Sequence, residues 1–167
     1  MTVTATFAVR PIEPDVVAAL RGRDDAGREP LLVVDAEGGN PLRCCLRLSQ
    51  PGEALLLASY APLRRWAART GADPAAYDEV GPVFVHPAPC AGPAGADWPH
   101  ELGLPRVLRA YDASGRIVGG RLVAAGEDPE QAVGEVFADP RVAVVHARAL
   151  VAGCFTFAIG RVAGAAG

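Results

Sequence analysis

Glycine and proline interrupt this sequence at short intervals and so limit the length of its helices and strands. The 167 residues include 19 glycines and 15 prolines. Short apolar runs lie between turn residues, as at 31–34 and 83–85, and such runs are typical of strands. Most of them are joined by hairpin turns. We therefore expect an α+β fold with a mainly antiparallel sheet, open or curled toward a barrel, and two or three short helices.

Length and composition fit one domain spanning 1–167, with a frayed tail at 163–167. Half of the residues are apolar and the formal net charge is −3, so neither nucleic acid nor a membrane is an expected partner. The N-terminus lacks the basic and apolar segments of a signal peptide. We therefore expect a cytoplasmic protein with free cysteines and no cofactor.

A pair of adjacent cysteines lies in the stretch around which the sheet is expected to form. Residues 42–49 and 54–60 fit two strands of a hairpin, joined by a Gln-Pro-Gly-Glu turn. Successive side chains of a strand point to opposite faces. The alternation predicts that Cys44 lies in an apolar row of the core. It places Cys45 between Arg43 and Arg47, whose charges favour its thiolate.

Other segments have clear local signals. Three helices are expected to begin at Pro14, Pro62 and Pro129. The run 31–34 predicts a buried strand because it is continuously apolar. Residues 87–105 form the longest irregular stretch, and they are the candidate for a lid or for the wall of a binding site.

Five blocks of this sequence occur together, in the same order, in one known family. The first block is 41–60, with Pro-Leu-Arg-Cys-Cys-Leu-Arg, Pro-Gly-Glu and Ser-Tyr. The others are 81–86 with Cys90, 109–112, 145–148 and 153–155. In these blocks the chain resembles the bacterial family catalogued as domain of unknown function 1203. The resemblance implies a single-domain bacterial protein, and it carries no activity, substrate or cofactor.

The leading hypothesis for function concerns polar side chains on one face of the sheet. Strand alternation brings them to the same side, and arginine binds carboxylate and phosphate groups through paired hydrogen bonds. Such a face would bind a small anionic ligand or a protein partner. The candidate ligand-binding residues are Arg43, Arg47, Arg109, Tyr111, Arg148 and Cys154. The alternative is an ordinary solvated face.

The alternative class is a thiol- or metal-dependent enzyme. As a nucleophile, Cys45 would use His86 or His146 as its base. A zinc site is the metal version of this hypothesis, because imidazole and thiolate are the ligands that zinc prefers. The candidate ligands are His86, Cys90, His146 and Cys154, with Cys45 or Cys44. Their spacing is unspecific, so free thiols without a bound metal are the expected state.

Overall fold

The computed structural model describes residues 6–163. Most of the expected frayed tail, 164–167, lies outside them. The described chain contains three α-helices: α1 (Pro14–Gly22), α2 (Pro62–Thr70) and α3 (Pro129–Phe137). Its eight strands are β1 (Phe7–Arg10), β2 (Leu31–Asp35), β3 (Glu53–Tyr60), β4 (Gly81–Val85), β5 (Arg106–Tyr111), β6 (Ile117–Val123), β7 (Val144–Ala149) and β8 (Phe155–Arg161). No described helix has the length and apolar character that crossing a membrane requires.

The strands form two sheets. The larger sheet has the order β1-β8-β7-β5-β6, and the smaller has the order β2-β3-β4. Every strand pairing among the described residues is antiparallel, so the expected α+β class is confirmed. Neither sheet closes into a barrel, because β1 and β6 are not paired with each other and remain edges of the larger sheet. The barrel alternative is therefore wrong.

The helices begin where the sequence indicated. Proline is the first residue of all three, since an N–H at that position would have no partner within the helix. The start of α3 is also capped, because Asp128 accepts hydrogen bonds from two backbone N–H groups of the first turn. The helix α2 ends at Gly71, whose φ of 78° favours glycine.

The two larger apolar clusters join the helices α1 and α3 to the sheets. One packs α3 against the larger sheet and includes Phe137 and Phe157. The other packs α1 against the smaller sheet and includes Leu20 and Leu55. Phe155 of β8 belongs to the second cluster, so apolar packing connects the two sheets across this cluster.

The first strand of the predicted hairpin, 42–49, is not a strand. Residues 41–48 form a compact turn in which the backbone N–H of Leu46 donates to the carbonyl of Leu42 at 2.9 Å. Leu46 has a φ of 57°, a left-handed conformation that ends the alternation of faces. A single bridge between Leu42 and Phe84 attaches this turn to β4. The strand β3 pairs instead with β2 and β4.

The run 31–34 does form β2, but the prediction that it is buried is wrong. Leu31, Leu32 and Val34 are 64%, 68% and 66% exposed. The reason is topological, because β2 lies at the edge of the smaller sheet. An apolar run indicates a strand, but it does not tell an edge position from a central one.

Candidate metal centre

The compact turn and the end of β4 bring four metal-binding side chains together. The turn is attached to β4 by the backbone N–H of Arg43, which donates to the carbonyl of Phe84 at 2.9 Å. One residue beyond β4, the backbone N–H of His86 donates to the Cys44 Sγ at 3.3 Å. Cys90 belongs to the loop that follows β4, and its side chain lies beside the other three. The resulting thiol–histidine cluster consists of Cys44, Cys45, His86 and Cys90.

The distances within this cluster approach those of a tetrahedral zinc site. The His86 Nδ1 lies 3.3 Å from the Cys44 Sγ and 3.8 Å from the Cys45 Sγ. All four ligand atoms, including the Cys90 Sγ, lie within 4.8 Å of one another. With Zn–S bonds of about 2.3 Å and Zn–N bonds of about 2.0 Å, neighbouring ligand atoms of a tetrahedron are about 3.5–3.8 Å apart. The longest separation therefore needs only a small closing movement.

The second nitrogen of His86 contacts a carboxylate. Its Nε2 lies 3.0 Å from the Glu53 Oε1. Arg47 holds the same carboxylate with both terminal nitrogens, at 2.7 and 3.2 Å. The Arg47 bonds lower the pKa of Glu53 to about 2, so this carboxylate is ionised and can only accept. We therefore assign the Nε2 proton to the bond with Glu53, although an Arg47 nitrogen also lies 3.0 Å from Nε2. This tautomer leaves the Nδ1 lone pair facing the sulfur atoms.

The two adjacent thiols differ strongly in acidity. A hydrogen bond from Cys44, supported by the backbone N–H of Arg47, lowers the pKa of Cys45 to about 6. The same hydrogen bond and burial raise the pKa of Cys44. Cys45 is therefore the thiolate at neutral pH, and Cys44 is the proton donor. A lowered pKa of Cys45 is the direction expected from the sequence, but its main cause is the neighbouring thiol rather than a pair of guanidinium groups.

A cavity of about 840 Å³ opens beside the cluster. One side is lined by Cys45, Leu46, Arg47, Ala54 and His86, and residues 87–95 and 97–101 line the rest. Within this loop Trp98 is only 5% exposed, because its ring packs edge-on against Phe157 with the centroids 5.1 Å apart. The irregular stretch singled out in the sequence is thus anchored in the core and forms a cavity wall.

Most of the chain matches one known family model. The model covers residues 39–161 and is described as a protein of unknown function, DUF1203. The chain belongs to the DUF1203 family. No curated protein and no solved structure matches it. The matched range of this DUF1203 chain includes the whole cluster, the Glu53–Arg47 pair and the cavity wall, but the family description assigns a role to none of them.

The four arginines of the expected ligand-binding face are bonded to other groups of this DUF1203 protein. Arg43 is 4% exposed and donates to the carbonyl of Phe155 at 2.8 Å. Arg47 is paired with Glu53 in the cluster. Arg109 and Arg148 instead meet at Glu79, at 3.0 and 2.6 Å. The four guanidinium groups thus do not form a common unpaired face, because each of them is bonded to a protein acceptor.

The remaining predicted residues lie elsewhere in the larger sheet. His146 packs between the rings of Tyr111 and Phe155, with centroid distances of 4.8 and 5.1 Å. Cys154 lies just before β8, with its thiol directed at the carbonyl of Ala152. Neither His146 nor Cys154 belongs to the metal-binding cluster found among residues 6–163. The structure thus brings His86 and Cys90 together with both Cys44 and Cys45, and it separates them from His146 and Cys154.

Two acidic residues of these contacts were missed by sequence reasoning. Glu53 belongs to the predicted Gln-Pro-Gly-Glu turn, and Glu79 lies in no sequence motif. Glu53 reaches His86 from 33 positions away, and Glu79 reaches Arg148 from 69 positions away. No local spacing signals contacts of this kind, because they depend on the pairing of β3 with β4 and on the packing between the sheets.

Proposed function

We propose that this chain binds a zinc ion through Cys44, Cys45, His86 and Cys90. The observation that carries the proposal is the convergence of one imidazole and three sulfur atoms within 4.8 Å of one another. Thiolate and imidazole ligands favour zinc over the oxygen-preferring cations Ca²⁺ and Mg²⁺. The proposal departs from the expectation, drawn from the sequence, that these thiols carry no metal.

The surroundings of His86 support the same proposal. A histidine that binds a metal usually donates its other ring N–H to a carboxylate or carbonyl, which fixes the tautomer and raises the basicity of the ligand nitrogen. The contact between His86 and Glu53 has this form. The backbone N–H that approaches the Cys44 Sγ would also stabilise a metal-bound thiolate, because it donates toward the negative sulfur.

The ion would join the compact turn to the loop that forms the cavity wall. Cys44 and Cys45 belong to the turn, and the exposed Cys90 belongs to the loop. Four protein ligands complete a tetrahedron, which is the form of structural zinc sites. We therefore propose that the metal shapes the cavity. Binding of a small ligand, which the sequence suggested for an arginine face, is proposed for this cavity instead, since Arg47 lines it.

Metal analysis tests the zinc site. Protein purified under reducing conditions should hold about one equivalent of zinc, and Co²⁺ in its place should show the thiolate charge-transfer and visible bands of a tetrahedral sulfur site. Cys90→Ser should lose the ion or bind it far more weakly. Cys154→Ser removes a free thiol outside the cluster and should behave as wild type. A Co²⁺ spectrum without thiolate bands would sink the proposal, as would equal losses in both variants.

Thiol chemistry of the metal-free form is a second candidate, favoured by one observation. The Cys45 Sγ, His86 and Glu53 follow one another in the order of a nucleophile, a base and a carboxylate that orients the base. Cys45 also faces the cavity. In the metal-free protein, the alkylation rate of Cys45 should therefore rise with pH around a midpoint near the lowered pKa of about 6. A midpoint near the ordinary thiol pKa of 9.0 would exclude an activated thiol.

A further inference from the structure

A second cavity, of about 620 Å³, lies between the larger sheet and the helices α1 and α2. None of the residues that line it lines the cavity at the metal centre, so nothing said of it depends on zinc binding. Its volume lies within the range of about 300–1,000 Å³ that is usual for small-molecule sites. The lining is assembled from β1, β3, β7, β8 and both helices, as in many ligand sites formed where separate elements meet.

The cavity contains a histidine with one ring nitrogen that is buried and has no hydrogen-bond partner among residues 6–163. His146 is 1% exposed and lines the cavity. Its Nδ1 is buried, and no described residue offers it a hydrogen bond. Burial, with the charges of Arg148 and Arg109 nearby, lowers the pKa of His146 to about 3. The ring is therefore neutral and offers one donor and one acceptor. A buried polar group left unpaired destabilises the folded state, and a ligand that bonds to it would remove that cost.

The walls and the mouth of the cavity differ in character. The walls are aromatic, because Tyr60, Trp66 and Phe155 line them. Further lining residues carry charges of both signs: Arg10, Arg69, Glu13 and Asp15. Arg10, Arg69, Glu13 and Asp15 are exposed or half-buried. None of the four forms an ion pair with another residue of 6–163. Arg161 also lines the cavity, but its guanidinium donates to backbone carbonyls.

We propose that this cavity binds a free aromatic amino acid that carries a polar group on its ring. The ring would pack among the aromatic walls, and its polar group would hydrogen-bond to His146. Arginine binds carboxylate through paired hydrogen bonds, so the carboxylate would lie against Arg10 and Arg69. The ammonium group would lie against the unpaired carboxylates of Glu13 and Asp15, which precede α1 and lie in its first turn. A zwitterion satisfies both signs of charge at once, which a simple anion or cation would not.

A set of four probes tests each part of this proposal on the full-length chain. L-Tyrosine has all three polar groups. L-Phenylalanine lacks the ring hydroxyl, tyramine lacks the carboxylate, and 3-(4-hydroxyphenyl)propionate lacks the ammonium group. Saturation-transfer NMR titrations should show saturable binding of tyrosine, and each analogue should bind about tenfold more weakly, as expected for the loss of one hydrogen bond or charge contact. The proposal is overturned if tyrosine does not bind saturably, or if all four probes bind equally.

Substitutions then locate the binding. His146→Phe keeps an aromatic ring between Tyr111 and Phe155, and it should lower the affinity for tyrosine about tenfold while leaving that for phenylalanine unchanged. Ala158→Leu adds volume to the sheet wall of the cavity and should abolish binding of every probe. Arg28→Gln removes an exposed arginine outside the cavity and should bind as wild type. Unchanged tyrosine binding by both His146→Phe and Ala158→Leu would place the ligand elsewhere and refute the site.

Discussion

Replacing Glu53 with glutamine tests whether the carboxylate behind His86 supports metal binding. Glutamine has nearly the same shape, so the main change is the loss of charge at 3.0 Å from the His86 Nε2 and 2.7 Å from the nearer Arg47 nitrogen. A hydrogen bond to a charged group contributes about 1.5–3 kcal/mol, against about 0.5–1.5 for a neutral one. The weaker bond to His86 therefore accounts for a loss of about 1–1.5 kcal/mol in the support of the imidazole.

The freed Arg47 adds to this loss. Without the carboxylate, its guanidinium can donate to the His86 Nε2, which already lies 3.0 Å away, and that bond favours the tautomer with the proton on Nδ1. A proton there blocks the metal-binding lone pair. We expect zinc affinity to fall about 10-fold to 100-fold, the usual range for removing such a support. Competition with a chromophoric zinc chelator at neutral pH measures the ratio of dissociation constants directly.

The matched control is Glu127→Gln. Glu127 resembles Glu53 in bonding, because it accepts from Arg121 and from the backbone N–H of Ala124, but it lies outside the cluster. Its zinc affinity should equal that of wild type. The reasoning fails if Glu53→Gln binds zinc within twofold of wild type while remaining folded by circular dichroism, or if Glu127→Gln loses as much affinity.

Three further predictions concern the thiols and two buried side chains. In metal-free protein near neutral pH, mass-mapped alkylation should modify Cys45 well before Cys44, and zinc should protect both; equal rates would contradict the assigned difference in pKa. Arg43→Met should lower the free energy of unfolding in urea by about 1–3 kcal/mol, because it leaves the carbonyl of Phe155 without its donor. A loss below about 0.5 kcal/mol, the size usual for a surface substitution, would show that the guanidinium is not needed there. In the folded protein His146 stays neutral, whereas in the unfolded chain it binds a proton below its ordinary pKa of 6.5. The free energy of unfolding should therefore fall as the pH drops from about 6.5 to 3, by at most about 1.4 kcal/mol per pH unit. His146→Phe should flatten that dependence, and an unchanged slope would show that other groups cause it.

The parts of the fold that the sequence predicted well depend on local chemistry. The three helix starts at proline are examples, because the signal and the structure involve the same few residues. The hairpin of β5 and β6 has an equally local basis. The turn of that hairpin is closed by Asp112, whose side chain accepts from the backbone N–H groups of Ser114 and Arg116. The edge position of β2 is different, since it depends on strand order, which no local pattern encodes.

The candidate site was predicted only in part, and one local error explains most of the gap. Treating 42–49 as a strand put Cys44 and Cys45 on opposite faces, where two adjacent side chains cannot share a metal ion. The left-handed Leu46 is the reason that this premise fails. A non-glycine residue with positive φ is uncommon, so sequence patterns did not favour a turn here.

The same turn connects the fold to the proposed chemistry. By reversing the chain within a few residues, it directs both sulfur atoms toward the His86 Nδ1 and sends Arg43 into the packing against β8. Arg47, at the end of the turn, is then free to hold Glu53 behind the imidazole. Arg43 and Arg47 thus anchor the turn on two sides while the cysteines between them converge. Two of the four arginines that suggested an anion-binding face, Arg43 and Arg47, thus support the turn that carries the proposed metal site.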